Sequence, residues 1–327
     1  MLPYLAVVLA AVCFGTTGTA QAFGPVDASA GSVGAARILI GGGLLALTAL
    51  ALRLRAARSS AETSYSAPER APRYGFRRLG GWPIVVGALG VVAYQPLFFL
   101  GVSVNGVAVG TVVALGSAPV ITGVIDWAIR RRFPGAVWLV ATAIAMVGVA
   151  LISGVLAPGA ADAAAGTASA ISLPGLAASI GAGASYAVYT LASKALLERG
   201  WTASGTMGSV FGLAALLSIP LLLATDTRWL FTGPGLALAL WLGVITTTVA
   251  YLLFGWGLAR LPASTVSTLT LTEPLTATLL GTLVLGETLT AMAAVGLAVL
   301  AVGLVVLAAP RRPLRPVARL SGGAASR

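Results

Sequence analysis

Few side chains in this sequence are able to do chemistry, and one of them stands apart. Glu273 lies near the middle of the apolar run 263–285, is followed at once by Pro274, and shares its run with Thr265, Thr268, Thr272 and Thr276. At helical spacing those threonines fall on one stripe, which makes a polar surface on an apolar rod. An ionised carboxyl at the centre of a bilayer costs ~3 kcal/mol on insertion scales, so it needs a partner, a proton or a ligand. Pro274 has no N–H to give to the carbonyl of Thr270, which leaves an acceptor for water, a substrate amine or a hydroxyl. This arrangement allows Glu273 to bind an ammonium group or carry a proton. The structural alternative is a protonated carboxyl that fastens two helices by a hydrogen bond.

Arg37 is the second charge inside an apolar run. It serves either as a partner for a carboxylate, of the protein or of a substrate, or as an anchor that reaches the membrane interface. Lys194 and Asp126 stand near the ends of their runs, where reaching the interface is the default. Tyr94 and Gln95 precede Pro96, while Tyr186, Tyr189, Thr190 and Ser193 occupy positions i, i+3, i+4 and i+7, one face of a helix. Such a face either packs helices or lines a binding site. Glu273, Arg37, Tyr94, Gln95, Tyr186, Tyr189, Thr268 and Thr272 are therefore the candidate substrate-binding or coupling residues, with Pro119 and Pro274 as hinges. Pro220 is a further kink point, Phe14 to Thr17 lie mid-run, and Trp241 and Trp256 read as interfacial belt residues.

Much other chemistry is excluded. The chain has no histidine and one cysteine, Cys13, which removes imidazole acid–base catalysis, Cys/His zinc sites, c-type haem attachment and an intrachain disulfide. No phosphate loop, acidic metal motif or nucleotide signature is present, so no metal or cofactor is expected and ATP is not the energy source.

The elements that must position these residues follow from hydropathy. Of 327 residues 58% are hydrophobic and 9% charged, against roughly 25% charged in soluble domains. A membrane-spanning helix takes about 20 mainly apolar residues. Ten such runs occur, at 3–23, 31–52, 82–101, 107–129, 135–156, 174–196, 205–224, 234–258, 263–285 and 290–309. The first ends in Ala20-Gln21-Ala22, which resembles a cleavage site. No Lys or Arg precedes its apolar stretch, however, and that stretch exceeds the ~7–15 residues of a signal peptide.

The net charge of +11 is sorted by loop. With the N-terminus inside, the inner segments hold every Lys and Arg except Arg228, in an outer loop, and Arg37, within a run. The positive-inside rule places both termini in the cytoplasm and favours an even number of spans. Basic groups dispersed over five inner segments, with little aromatic interleaving, do not read as a nucleic-acid surface. The tail 310–327 suits contact with anionic membrane lipid. Residues 53–81 form a basic polar loop and 157–173 an Ala/Gly/Ser linker.

That linker divides ten spans into five and five. A shift of 155 residues carries Ala118-Pro119 onto Glu273-Pro274 and Val147-Gly148 onto Val302-Gly303, and one of 157 carries Ala93-Tyr94 onto Ala250-Tyr251. Five is odd, so two repeats of one fold sit upside down relative to each other, as in many secondary transporters. The expected fold is an all-α integral membrane protein of ten transmembrane helices in two inverted five-helix repeats, 3–156 and 174–309.

The segment Ala35-Ala36-Arg37-Ile38-Leu39, and Glu273-Pro274 followed by Gly286-Glu287-Thr288-Leu289, resemble the EamA family of the drug/metabolite transporter superfamily over about residues 3–309. Arg132, in the Arg130-Arg131-Arg132 run, stands where the first repeat would carry the counterpart of Glu287. The resemblance implies a carrier of the bacterial inner membrane, with a cavity lined by spans 1, 3, 4, 6, 8 and 9. It also implies an exporter of amino acids or related amphipathic solutes by alternating access, driven by proton exchange, and not an enzyme. A channel and a membrane-embedded enzyme acting on lipid are the alternatives. One chain carries both repeats, so a monomer suffices and a homodimer stays open.

Overall fold

In hydrocarbon each backbone N–H and C=O must be paired within its own segment, so apolar runs of this length fold as helices. The computed structural model describes residues 1–63, 81–156 and 172–309, without the side chains of 60–63. Among the described residues every regular element is helical. In order they are α1 (Leu2–Ala22), α2 (Ala30–Thr63), α3 (Trp82–Arg130), α4 (Ala136–Ile152) and α5 (Leu173–Glu198). Then come α6 (Ala203–Leu223), a short 3₁₀ turn (Arg228–Phe231), α7 (Gly233–Leu258), α8 (Ala263–Leu269), α9 (Thr272–Val284) and α10 (Ala291–Ala308). Six of these, α1, α2, α3, α6, α7 and α10, are long and apolar enough to cross a membrane by length and composition. The tail 310–327 and nearly all of the linker lie outside the described residues, as does most of the 53–81 loop.

Three elements depart from the runs expected of the sequence. α2 continues as helix to Thr63, past the expected boundary at 52, with an exposed surface beyond Leu50. α3 joins two runs, and its one non-helical residue is Gly106, at φ 79° and ψ 159°. A methyl group on Gly110 would stand 2.7 Å from Val102 Cα, whereas eight residues of straight helix span about 12 Å. The two arms of α3 therefore fold back on each other at Gly106, a conformation open to glycine because it has no Cβ. The run 263–285 is broken between Leu269 and Thr272 into α8 and α9.

The helices pair through small residues, as expected where packing rather than the hydrophobic effect joins helices. α3 packs along α5, α2 along α6 and α4 along α10, while α1 lies on α9 and α7. A side chain on Gly148 would strike Leu300, and one on Gly303 would strike Ala145. Between α2 and α6, Gly42 abuts Phe211 and Ala215, and Gly208 abuts Leu45 and Ala49. Both sets are reciprocal: a shift of 155 carries 145 and 148 onto 300 and 303, and a shift of 166 carries 42, 45 and 49 onto 208, 211 and 215.

The ends of the assembly differ in charge. Met1, Arg130, Arg132, Glu198, Arg260 and Ala309 border one bowl of about 740 Å³, so the N-terminus and the ends of α3, α5, α7 and α10 gather at a basic end. At the opposite end Asn105, beside the Gly106 turn, exchanges two hydrogen bonds with the backbone of Ser172.

Candidate functional site

The site is built where two helices lose regularity. From Trp241 to Val249, α7 widens into a π-helical stretch, a feature frequent at functional sites. Three consecutive threonines lie there, and their hydroxyls donate back to α7 carbonyls, Thr246 and Thr247 to Leu242 at 2.9 Å and Thr248 to Gly243 at 2.9 Å. Arg37 of α2 docks on this stretch. Its Nε donates to Thr247 Oγ1 at 3.1 Å and its Nη2 to the Thr246 carbonyl at 3.0 Å. Two of the five N–H groups of a guanidinium are thus spent on α7, and the others remain for a further acceptor.

The second irregularity is the break between α8 and α9. Leu271 N–H donates to Thr268 O at 3.1 Å and Glu273 N–H to Thr270 O at 2.9 Å. The Thr270 carbonyl is therefore taken, contrary to the expectation that Pro274 would leave it free: the tightened turn supplies the donor that proline lacks. Pro274 stands in the first turn of α9, where its missing N–H would have no intrahelical partner anyway. Glu273 sits in that same turn, where the unpaired N–H groups and the helix dipole favour an anion. Its carboxyl has no hydrogen-bond or ion-pair partner among the described residues.

Glu273 and Arg37 line one small central cavity of about 50 Å³, room for a few waters. Tyr94, Tyr186, Tyr189, Tyr251 and Phe14 line it too. The Tyr186 hydroxyl lies 3.0 Å from Thr270 Oγ1, and the hydroxyls of Tyr189 and Tyr251 lie 3.2 Å apart. Phe14 packs on Tyr251 at 5.0 Å between ring centres, and Tyr251 on Phe211 at 4.0 Å. On the remaining side Ala114, Leu115 and Ala118 of α3 make an apolar wall. A carboxyl, a guanidinium and aromatic faces around one void offer partners for both charges of a zwitterion, since ring faces attract ammonium groups, and a void of this size admits such a solute only once the surrounding helices part.

Five of the sequence candidates, Glu273, Arg37, Tyr94, Tyr186 and Tyr189, come together here. The others do not. The threonine stripe is dispersed, because the break turns α9 relative to α8. Thr268 is buried against α4, its hydroxyl 3.1 Å from Trp138 Nε1 and 2.8 Å from Thr142 Oγ1. Thr272 donates to Leu269 O at 2.8 Å, and Thr276 lies under Gly15 of α1. Gln95 sits against Gly34 of α2 rather than on the cavity. Pro119 is buried within α3, which continues as helix past it. Sequence reasoning did not nominate Tyr251 or the hydroxyl of Thr270 for the site, nor the π-stretch threonines. The shift that carries Tyr94 onto Tyr251 was the signal for the first.

Lys194 and Asp126 line the bowl at the basic end, where Lys194 is 8% and Asp126 6% exposed and both are bonded within the protein. Among the described residues no group of acidic, histidine or cysteine side chains is arranged to hold a metal.

The profile of the EamA-like transporter family matches residues 1–154 and 173–309. An uncharacterised transporter of Bacillus subtilis (strain 168), YwfM, is 39% identical over 314 residues, 94% of each chain. The threonine/homoserine exporter RhtA of Escherichia coli (strain K12) is 35% identical over 122 residues, 37% of this chain and 40% of that protein. A crystal structure that is 18% identical superposes with a TM-score of 0.68 over 93% of this chain and 96% of the other, which shows a shared fold.

Proposed function

Because the chain belongs to the EamA-like transporter family, we propose that it is a secondary carrier that exports a small amphipathic solute of the amino-acid class. The observation that carries this reading is the carboxyl of Glu273, unpartnered among the described residues and lining a cavity that it shares with Arg37. A zwitterion would set its ammonium on Glu273 and its carboxylate on the unspent donors of Arg37, so that each buried charge is neutralised while the solute is bound. When the solute leaves, a proton on Glu273 would neutralise it in turn, which couples export to proton entry. The tyrosines position the solute, and no cofactor takes part. The name of RhtA supports the substrate class.

In this reading the two arms of α3 count as two spans and α8 with α9 as one. The total is ten, in inverted repeats 3–156 and 174–309, with the basic end in the cytoplasm of a bacterial cell and the tail against lipid. The reciprocal glycine contacts of α4 with α10 and α2 with α6 support it, because a local two-fold axis makes i touch j wherever j touches i. A single chain holding both repeats would work as a monomer.

The test is uptake and counterflow in proteoliposomes with a panel of amino acids that includes threonine and homoserine, with and without an imposed pH gradient. Saturable flux accelerated by solute on the far side is expected. Flux linear in concentration would instead mean a channel. Transport by a correctly inserted Glu273→Gln protein with unchanged pH dependence would remove the proton role.

A further inference from the structure

A second group of charged side chains lies outside the cavity, at the basic end. Asp126 and Arg130 are paired one turn apart at the end of α3, and Arg130 Nη2 also lies 2.6 Å from Glu198 Oε1 at the end of α5. On α5 the chain's one lysine, Lys194, reaches across to the end of α7. Its ammonium donates to Leu258 O at 2.8 Å and to Leu261 O at 2.9 Å, with Glu198 Oε1 4.0 Å away. Carbonyls at a helix C-terminus lack intrahelical donors and form the negative end of its dipole, so a buried ammonium is well held there.

The bond crosses a division in the packing. α3 and α5 pack on each other, and α1 packs on α7 and α9. Tyr189 of α5 meets Tyr251 of α7 at the cavity and Lys194 of α5 meets Leu258 of α7 at the basic end, while Tyr186 of α5 meets Thr270 in the break between α8 and α9. α8, which begins at the basic end, touches both α3 and α5, whereas α9 packs mainly on α1. The bowl at the basic end and the cavity are separated by a buried layer of α8, Val266 to Leu269.

We infer that Lys194 is the pin of a gate at the basic end: its ammonium, bound to the carbonyls of Leu258 at the end of α7 and of Leu261 in the link to α8, must withdraw before the cavity opens to that side, and Glu198 receives it when it does. Withdrawal swaps two carbonyl acceptors for a carboxylate on the same helix, so the charge is never left alone in a dry interior. A compact head with three rotatable donors can make that swap by turning about its stem. The gate rests on the carrier reading, since only a carrier must seal one side while the other is open.

The test measures access rather than transport. In a Cys13→Ser background, Ser267→Cys places one thiol on α8, between Ser264 and Thr265 at the basic-end bowl and Thr270 at the cavity, at a fully buried residue. Its labelling by a membrane-impermeant maleimide is followed in vesicles that expose the basic end. Lys194→Met should raise the labelling rate by about tenfold or more, from the loss of two hydrogen bonds from a charged donor, and Lys194→Arg should restore most of the protection. Glu198→Gln should lower the rate severalfold, because it removes the acceptor of the open state. Opposite signs distinguish a gate from general loosening, which would raise both. A parental rate in Lys194→Met, or a rise in both variants, overturns the inference. If Lys194→Met does not accumulate, the Glu198→Gln arm decides alone, with a fall in support and anything else against. Labelling needs no substrate, so a parent protein that transports nothing would defeat the carrier reading without altering this test.

Discussion

Pro119 and Pro274 stand 155 residues apart at matching places in the two halves of the chain, yet one lies in an unbroken helix and the other opens a new one. The proline is common to both, so it does not decide the break. Around Pro274, three threonine hydroxyls in a row, of Thr268, Thr270 and Thr272, bond back to the carbonyls of Ser264, Ser267 and Leu269 and take over acceptors in α8. Around Pro119, α3 presents Ala114, Leu115 and Ala118 to the cavity as a smooth apolar wall. The break sets Glu273 at a helix N-terminus across from that wall. An asymmetric cavity of this kind, charged on one side and apolar on the other, matches an amphipathic solute better than an ion or a hydrocarbon.

The largest expected effect tests that asymmetry directly. Glu273→Gln should lower transport by about 100-fold, as when one member of a buried charge pair is removed, whereas Ala118→Gln on the opposite wall should cost much less; equal losses in proteoliposome flux would break the comparison. Next come the helix crossings that the halves share. Gly148→Leu and Gly303→Leu should each destabilise by ~2 kcal/mol through overpacking and by similar amounts, read as matched falls in Tm. Unequal falls would argue against a two-fold relation between α4 and α10. Arg37→Lys keeps the charge but loses the fork that spans Thr246, Thr247 and a carboxylate, so KM for a zwitterion should rise about tenfold while kcat changes little. The smallest contrast is between the prolines themselves. Pro274→Ala and Pro119→Ala should both leave the proteoliposome rate nearly unchanged, because the back-bonded threonines rather than the proline hold the break between α8 and α9.

Much of the candidate site was legible in the sequence because charge in hydrocarbon is conspicuous. Glu273 and Arg37 stand out for their surroundings alone, and the Tyr186–Tyr189 face follows from helical spacing. The threonine stripe failed for a definite reason: it assumed one straight helix through 263–285, and the break sends Thr268 to α4 and Thr276 to α1. Lys194 shows a different limit. Spacing places it near the end of a run, but only the packing supplies its acceptors, the carbonyls of Leu258, which ends α7, and of Leu261, in the link to α8.

By itself the sequence determined that the chain is helical and suited to a membrane, where its interruptions fall, and which charges lie inside apolar runs. These properties are local, set by transfer free energy and by backbone hydrogen bonds within each segment. Only the tertiary structure decided the reversal at Gly106, the π stretch that receives Arg37, which tyrosines close the cavity, and the tie from Lys194 to α7. Each depends on how closely two distant helices approach, and that distance is set by small residues meeting across an interface.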